Sequence, residues 1–324
     1  MHFDIDARTI LLVRHGSHAY GLNTPTSDLD VKGVCIKPVE CYFGFLKHFE
    51  QHEHMAGKGD GLDSVVYSLE KFASLAADCN PNIIEVLHVD DADVLKCDAF
   101  GERLRGMRDA FLSKKAKFTF SGYAYAQLKR IKTHRAWLLN PPEAPPSRTD
   151  AGLPVGMKVS ASELGSFESL VAKGVEMEMP KDVMTLFVRE RAYQSTLAHW
   201  KQFENWKATR NPARAAIEAA HGYDTKHGMH LLRLMRMCRE ILTTGRVVVK
   251  RPDRDELLAV RGGQRSYDSL IEEAERLQTE CDALYQTSAA LPREPNRTAI
   301  DAEIVEMTRE YLMADPTPIK RSRQ

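Results

Sequence analysis

Cysteine, long apolar runs and charge of one sign are what this chain has little of, and each absence excludes something. Its six cysteines stand at 35, 41, 79, 97, 238 and 281, with no C-x-x-C pair. That scatter suits reduced thiols in a cytoplasmic protein and argues against a disulfide framework or a zinc finger. No apolar run approaches the roughly 18 residues that a bilayer span needs, so no membrane partner is expected. The opening Met1-His2-Phe3-Asp4-Ile5-Asp6 has no basic region followed by an apolar core, and no signal peptide is expected. The 45 basic residues are balanced by 45 acidic ones. A global pull toward nucleic acid is thereby excluded, and any such contact has to come from a local patch. With 324 residues the chain can bury a sizeable core and hold two domains.

What is present is concentrated near the start, in GSHAYGLNTPTSDLDVKGV from Gly16 onward. An apolar strand over 9–13 runs into a Gly-Ser turn, then a short polar segment, then two aspartates spaced D-x-D on a second strand over 28–36. Residues two apart on a strand share a face, so Asp28 and Asp30 project together while Leu29 and Val31 pack the other way. Two carboxylates on one face make a hard-oxygen site suited to Mg²⁺, or Mn²⁺, bridging substrate phosphates. Gly16 lets the backbone come close to a phosphate, and Ser17 adds a hydroxyl beside the exposed amides.

Two-metal phosphoryl transfer asks for a third acid. Glu53, Asp60 and Asp63 are the candidates, and Asp63 is preferred because it precedes the β-rich Ser64-Val65-Val66-Tyr67. His48, His52 and His54 cluster without a fourth ligand at metal spacing, and a solvated loop is expected there.

Farther along, Lys226, His230 and Arg233 fall at i, i+4 and i+7 beside an apolar stripe at 231, 234, 235, 238 and 242. Three cations in line could grip a triphosphate or an RNA backbone; the alternative is a solvated basic face. At the stripe's edge, Arg233→Ala is expected to weaken nucleotide binding and leave stability little changed. A second basic run, 129–135, lies behind Tyr123 and Tyr125; basic residues near aromatics can hold a nucleic acid strand, but the favoured reading is an ordinary solvated face.

The architecture expected is α/β, a small mixed-sheet domain over 1–112 followed by a mostly helical domain over 113–316 and a basic tail over 317–324. A third strand is placed at 64–67, and helices at 68–77, 116–139, 180–208, 224–243, 267–284 and 298–312. A Pro-rich connector runs from Pro141 to about Pro154, and Asp253 with Glu256 matches a capping box.

The order strand, Gly-Ser, gap, Asp-hydrophobic-Asp resembles the DNA polymerase β-like nucleotidyltransferases. DSVVYSLEKFASL, NPNIIEVL, SGYAYAQLKRIKTHRAWL, GYDTKHGMHLLRLMR and RPDRDELLAVRGG together resemble one branch of them, the RNA ligase-associated proteins of the RNA repair pathway. The resemblance implies metal carboxylates at Asp28, Asp30 and Asp63 and phosphate-binding Gly16 and Ser17. It also implies an Asp-x-Lys…His-x-x-Arg signature at Asp224, Lys226, His230 and Arg233. His18 stands where such proteins often carry arginine. The activity implied is transfer of a nucleoside monophosphate from an NTP to an acceptor hydroxyl, in RNA (tRNA or another), a protein or a small molecule. A non-catalytic nucleotide- or RNA-binding module on the same fold is the alternative. The active site is expected in the cleft between the two domains.

Overall fold

The computed structural model describes residues 3–25, 27–55, 62–155, 180–210 and 212–314. Asp60 and the basic tail lie outside these residues.

The sheet has five strands in the order β3-β4-β2-β1-β5. They are β1 (Thr9–His15), β2 (Leu29–Cys35), β3 (Gln51–His54), β4 (Leu62–Ser68) and β5 (Val94–Cys97). β1 is antiparallel to β2 and β5, and β2 is parallel to β4. Ile10, Leu11 and Val13 are fully buried, as a central strand covered on both faces requires. Two strands were not foreseen. β3 reads Gln-His-Glu-His, is exposed throughout and pairs only on its β4 side among the described residues, which places His52 and His54 on an edge strand and not in a loop. β5 is four residues long, too short for alternation to announce it.

Early helices are α1 (Ile5–Arg8), α2 (Gly16–Ala19), α3 (Glu40–Phe43), α4 (Leu69–Ala77), α5 (Pro81–Leu87) and α6 (Ala99–Gly106). Asn80 caps α5 by accepting from the Asn82 amide at 3.1 Å, and Pro81 supplies its first residue, where no donor is lost. Later helices are α7 (Ala116–Leu139), α8 (Lys181–Thr209), α9 (Pro212–His221), α10 (Thr225–Thr244), α11 (Arg254–Arg261), α12 (Tyr267–Thr287) and α13 (Arg297–Ala314). The helices expected from sequence periodicity are all present, with ends shifted by up to three residues.

The chain divides into two compact units: Met1–Arg130 with Thr225–Gln324, and Ile131–Asp224. These units group the helices after Thr225 with the first 130 residues, across the 112/113 boundary expected from the sequence. In this first unit α10 packs on α11 and α12, and α13 on α4.

The second unit has its own small aromatic core. Trp137 lies 5.2 Å from Trp206 and 5.7 Å from Phe203, centroid to centroid, and its indole N–H donates to His199 Nε2 at 3.0 Å. Its Pro-rich segment is pinned: Arg148 makes a two-pronged pair with Glu190, at 2.9 and 2.7 Å, and Leu153 is buried.

The Asp253 capping box does not form. Asp253 makes no side-chain cap, and its carboxylate instead takes Arg236 at 2.7 Å and Arg251 at 2.8 Å. Two guanidiniums are stronger partners for a half-buried carboxylate than one backbone amide.

Candidate functional site

Strand register builds the site. His15 on β1 stands opposite Asp30 on β2, and Asp30 stands beside Asp63 on β4. One row of three side chains thus crosses three adjacent strands, while Asp28 sits just before β2. All four line a cleft of about 1090 Å³, together with Gly16 and Ser17.

The turn and the carboxylate are fitted to each other. Gly16 has φ +65°, and a Cβ there would run into the Asp30 carboxylate. A side chain at this position would meet both strain and collision. Behind the turn, the next carbonyls are held from the far end of the chain. Arg254 donates to Gly21 O at 2.6 Å, Arg261 to Leu22 O at 3.0 Å, and the Arg251 amide to Tyr20 O at 3.1 Å.

Lys226, His230 and Arg233 also line the cleft. They do not form three cations in line. Arg233 is only 5% exposed, and its Nη1 lies 2.5 Å from Glu85 Oε1. Its guanidinium carbon stacks 3.8 Å from the Tyr20 ring centroid. His230 is neutral at physiological pH: burial, then the charges of Arg233, Lys226 and His227, push it down to about 3. Lys226 lines the same cleft, one helical turn before His230.

Glu85 is the residue that sequence reasoning missed. Wholly buried on α5, it accepts from Tyr20 Oη at 2.5 Å, lies 3.3 Å from His15 Nε2 and pairs with Arg233. Burial pushes its carboxyl up, but Arg233, His15 and Tyr20 outweigh it and hold the group well below the usual range. One carboxylate thereby ties α5 to β1, to the turn and to α10. Its signal in the sequence is a lone acid inside the apolar run Ile83-Ile84-Glu85-Val86-Leu87, which demands a partner.

Asp30 is pushed up by burial, with Asp63 adding repulsion and His15, Lys32 and Lys226 offsetting part of it. Lys32, on the same strand face, is pushed down to about 8 by burial and donates to Asn82 O at 3.1 Å.

Asp28, Asp30 and Asp63 offer the hard-oxygen donors that a divalent cation takes. They are not gathered within 4.8 Å as a set of three among the described residues. The donor set therefore fits a cation completed by phosphate oxygens better than a closed protein cage.

The set that does gather so closely is His134, Glu218 and Asp224 in the second unit. Glu218 there already holds Arg210 at 2.5 Å and His134 at 3.3 Å, which is the chemistry of an ion-pair network. Asp224 belongs to that cluster and does not line the cleft with Lys226, His230 and Arg233.

The cleft is lined both by the sheet region, from His15 to Asn82, and by the later helices, from Phe118 to Arg130 and from Lys226 to Arg261, all within the first unit. Among the described residues, no helix is long and apolar enough to cross a membrane.

An uncharacterized 38.9 kDa protein from the nrdC-mobD intergenic region of Enterobacteria phage T4 is 26% identical over 291 residues, covering 82% of this chain and 86% of its own. No solved structure matches the chain. Residues 2–139 match the RlaP model, the RNA repair pathway DNA polymerase beta family, so the family resemblance holds over that stretch and carries with it a nucleotidyltransferase-related role.

Proposed function

We propose that the cleft binds a nucleoside triphosphate and transfers its nucleoside monophosphate to an acceptor hydroxyl, releasing pyrophosphate. The observation that carries this is the register row His15, Asp30 and Asp63, with Asp28 just before β2 in the same cleft and the Gly16-Ser17 turn against Asp30. A pure binding module has no need of three acids on one cleft wall, where they repel one another and disfavour a polyanion.

In this reading Asp28, Asp30 and Asp63 would hold the divalent metal that accompanies the triphosphate and serves the acceptor hydroxyl. Bound there, divalent metal supplies charge neutralisation and a lowered pKa for the attacking hydroxyl. The backbone amides at Gly16 and Ser17 and the Ser17 hydroxyl orient the phosphates. Lys226 adds positive charge on the opposite wall. Glu85 and Arg233 touch no reacting atom; they keep the turn, β1 and α10 in register, which matters because such catalysis is mostly positioning. RNA is the acceptor class to which the family description points.

The test is incubation with each labelled NTP, Mg²⁺ or Mn²⁺, and total RNA or total protein, followed by a gel. Label should move to RNA in the wild type and fall by orders of magnitude in Asp28→Asn and Asp30→Asn. Nucleotide binding without transfer to any acceptor would favour the binding module.

A further inference from the structure

One wall of the cleft has no part in holding phosphate or metal. Thr119, Gly122, Tyr123, Ala126, Gln127 and Arg130 recur every three to four residues along α7 and all line the cleft. At the middle of this face, Gly122 and Ala126 stand one turn apart with almost no side chain. A Cβ added at Gly122 meets nothing within 4 Å, so the space in front of it is open. Tyr123, 39% exposed, borders that space, and its hydroxyl accepts from Asn80 Nδ2 at 3.2 Å. A turn farther on, Gln127 has its Oε1 buried with no hydrogen-bond partner among the described residues. An open flat slot, an aromatic ring and an unsatisfied amide beside a phosphate site are the parts of a nucleobase pocket.

We infer that this face of α7 is the nucleobase subsite and that it selects adenine: the base stacks on Tyr123 over Gly122 and Ala126, and the Gln127 amide reads its edge. The inference rests on the cleft taking a triphosphate. A purine offers the larger stacking surface. On the edge that carries N7, adenine presents an amino donor beside a ring-nitrogen acceptor, the pair that a glutamine amide matches with its oxygen accepting and its nitrogen donating, whereas guanine presents two acceptors there.

The experiment is calorimetric titration of the full-length protein, with Mg²⁺, against ATP, GTP, CTP, UTP and inorganic tripolyphosphate as the base-free probe. ATP should bind tightest, by roughly tenfold or more over tripolyphosphate, the scale of one base-aromatic stack. Gln127→Ala should erase the preference for ATP over GTP and leave tripolyphosphate binding unchanged. Tyr123→Phe should keep ATP affinity, and Tyr123→Ser should lose roughly tenfold. Gly122→Leu guards against a folding artefact: it removes no contact, favours helix and fills the slot, so it should lower ATP affinity alone. Four NTPs binding alike, binding no tighter than tripolyphosphate, or preferring another base would overturn the subsite and leave the triphosphate site standing. Failure of tripolyphosphate and all four NTPs to bind would instead remove the triphosphate site itself, and the subsite with it.

Discussion

Arg233 and Glu85, 148 positions apart in the chain, meet as a buried ion pair at 2.5 Å directly behind the cleft. The pair changes what Arg233 is for. A side chain at the edge of an apolar stripe would be replaceable, whereas this one neutralises a carboxylate that water cannot reach. Removing either partner of such a pair leaves an uncompensated buried charge. Arg233→Ala should therefore lower unfolding free energy by about 3–5 kcal/mol, read from urea denaturation. A loss below about 1 kcal/mol, the scale of an exposed pair, would contradict the role assigned here.

Acid should destabilise the fold through two groups with the same sign. His230 is held down to about 3 against an ordinary 6.5, so between those values the unfolded chain takes a proton that the folded chain refuses. Stability then falls with pH across that window, by at most about 1.4 kcal/mol per unit for one proton. Glu85, depressed in the folded state, contributes stability above its ordinary 4.5 that is lost as pH falls through its lower folded value. His230→Gln should flatten the stability profile between pH 6.5 and 5 and leave the steeper acid limb. An unaltered profile would mean that His230 is not buried as a neutral ring.

Gly16→Ala should act on both strain and chemistry. The backbone at φ +65° disfavours any Cβ, and the Asp30 carboxylate occupies the place where it would go. Stability should fall by about 1–2 kcal/mol. Mn²⁺ affinity, followed by electron paramagnetic resonance, should weaken because Asp30 must turn away. Unchanged Mn²⁺ binding would separate Asp30 from the metal.

Asp253 distinguishes a cap from a counter-ion. Serine is as good a cap as aspartate, so Asp253→Ser would be nearly neutral if capping were its role. Because the carboxylate holds Arg236 and the buried Arg251, the substitution should instead lower thermal stability by more than the roughly 1 kcal/mol that a cap is worth. Loss of the Arg251 anchor should also loosen the turn at Tyr20.

The sheet's central strands, the Gly16-Ser17 turn and the D-x-D were legible because alternation and special turn residues are local signals. The helices after Thr225 were legible as helices, since apolar spacing over twenty residues is unambiguous. Which core they join was not, because periodicity says that a face is buried and not against what. For the same reason the Lys226, His230 and Arg233 line read as three cations: their spacing is local, but the burial and the Glu85 partner that change two of them come from α5. β3 escaped notice because an exposed edge strand of polar residues has no hydrophobic pattern to announce it. Nothing local marks Arg254 and Arg261 as partners of the Gly21 and Leu22 carbonyls, which lie more than 230 positions earlier.

The central claim, transfer of a nucleoside monophosphate at Asp28, Asp30 and Asp63, is tested most directly by where two labels go. The protein is incubated with RNA, Mg²⁺ and either α-phosphate-labelled or γ-phosphate-labelled NTP. The account predicts α-label on the RNA and γ-label in pyrophosphate, with both lost together in Asp30→Asn and in Asp63→Asn variants that still fold. Label on RNA from the γ-phosphate, or α-label transfer that survives both substitutions, would contradict it.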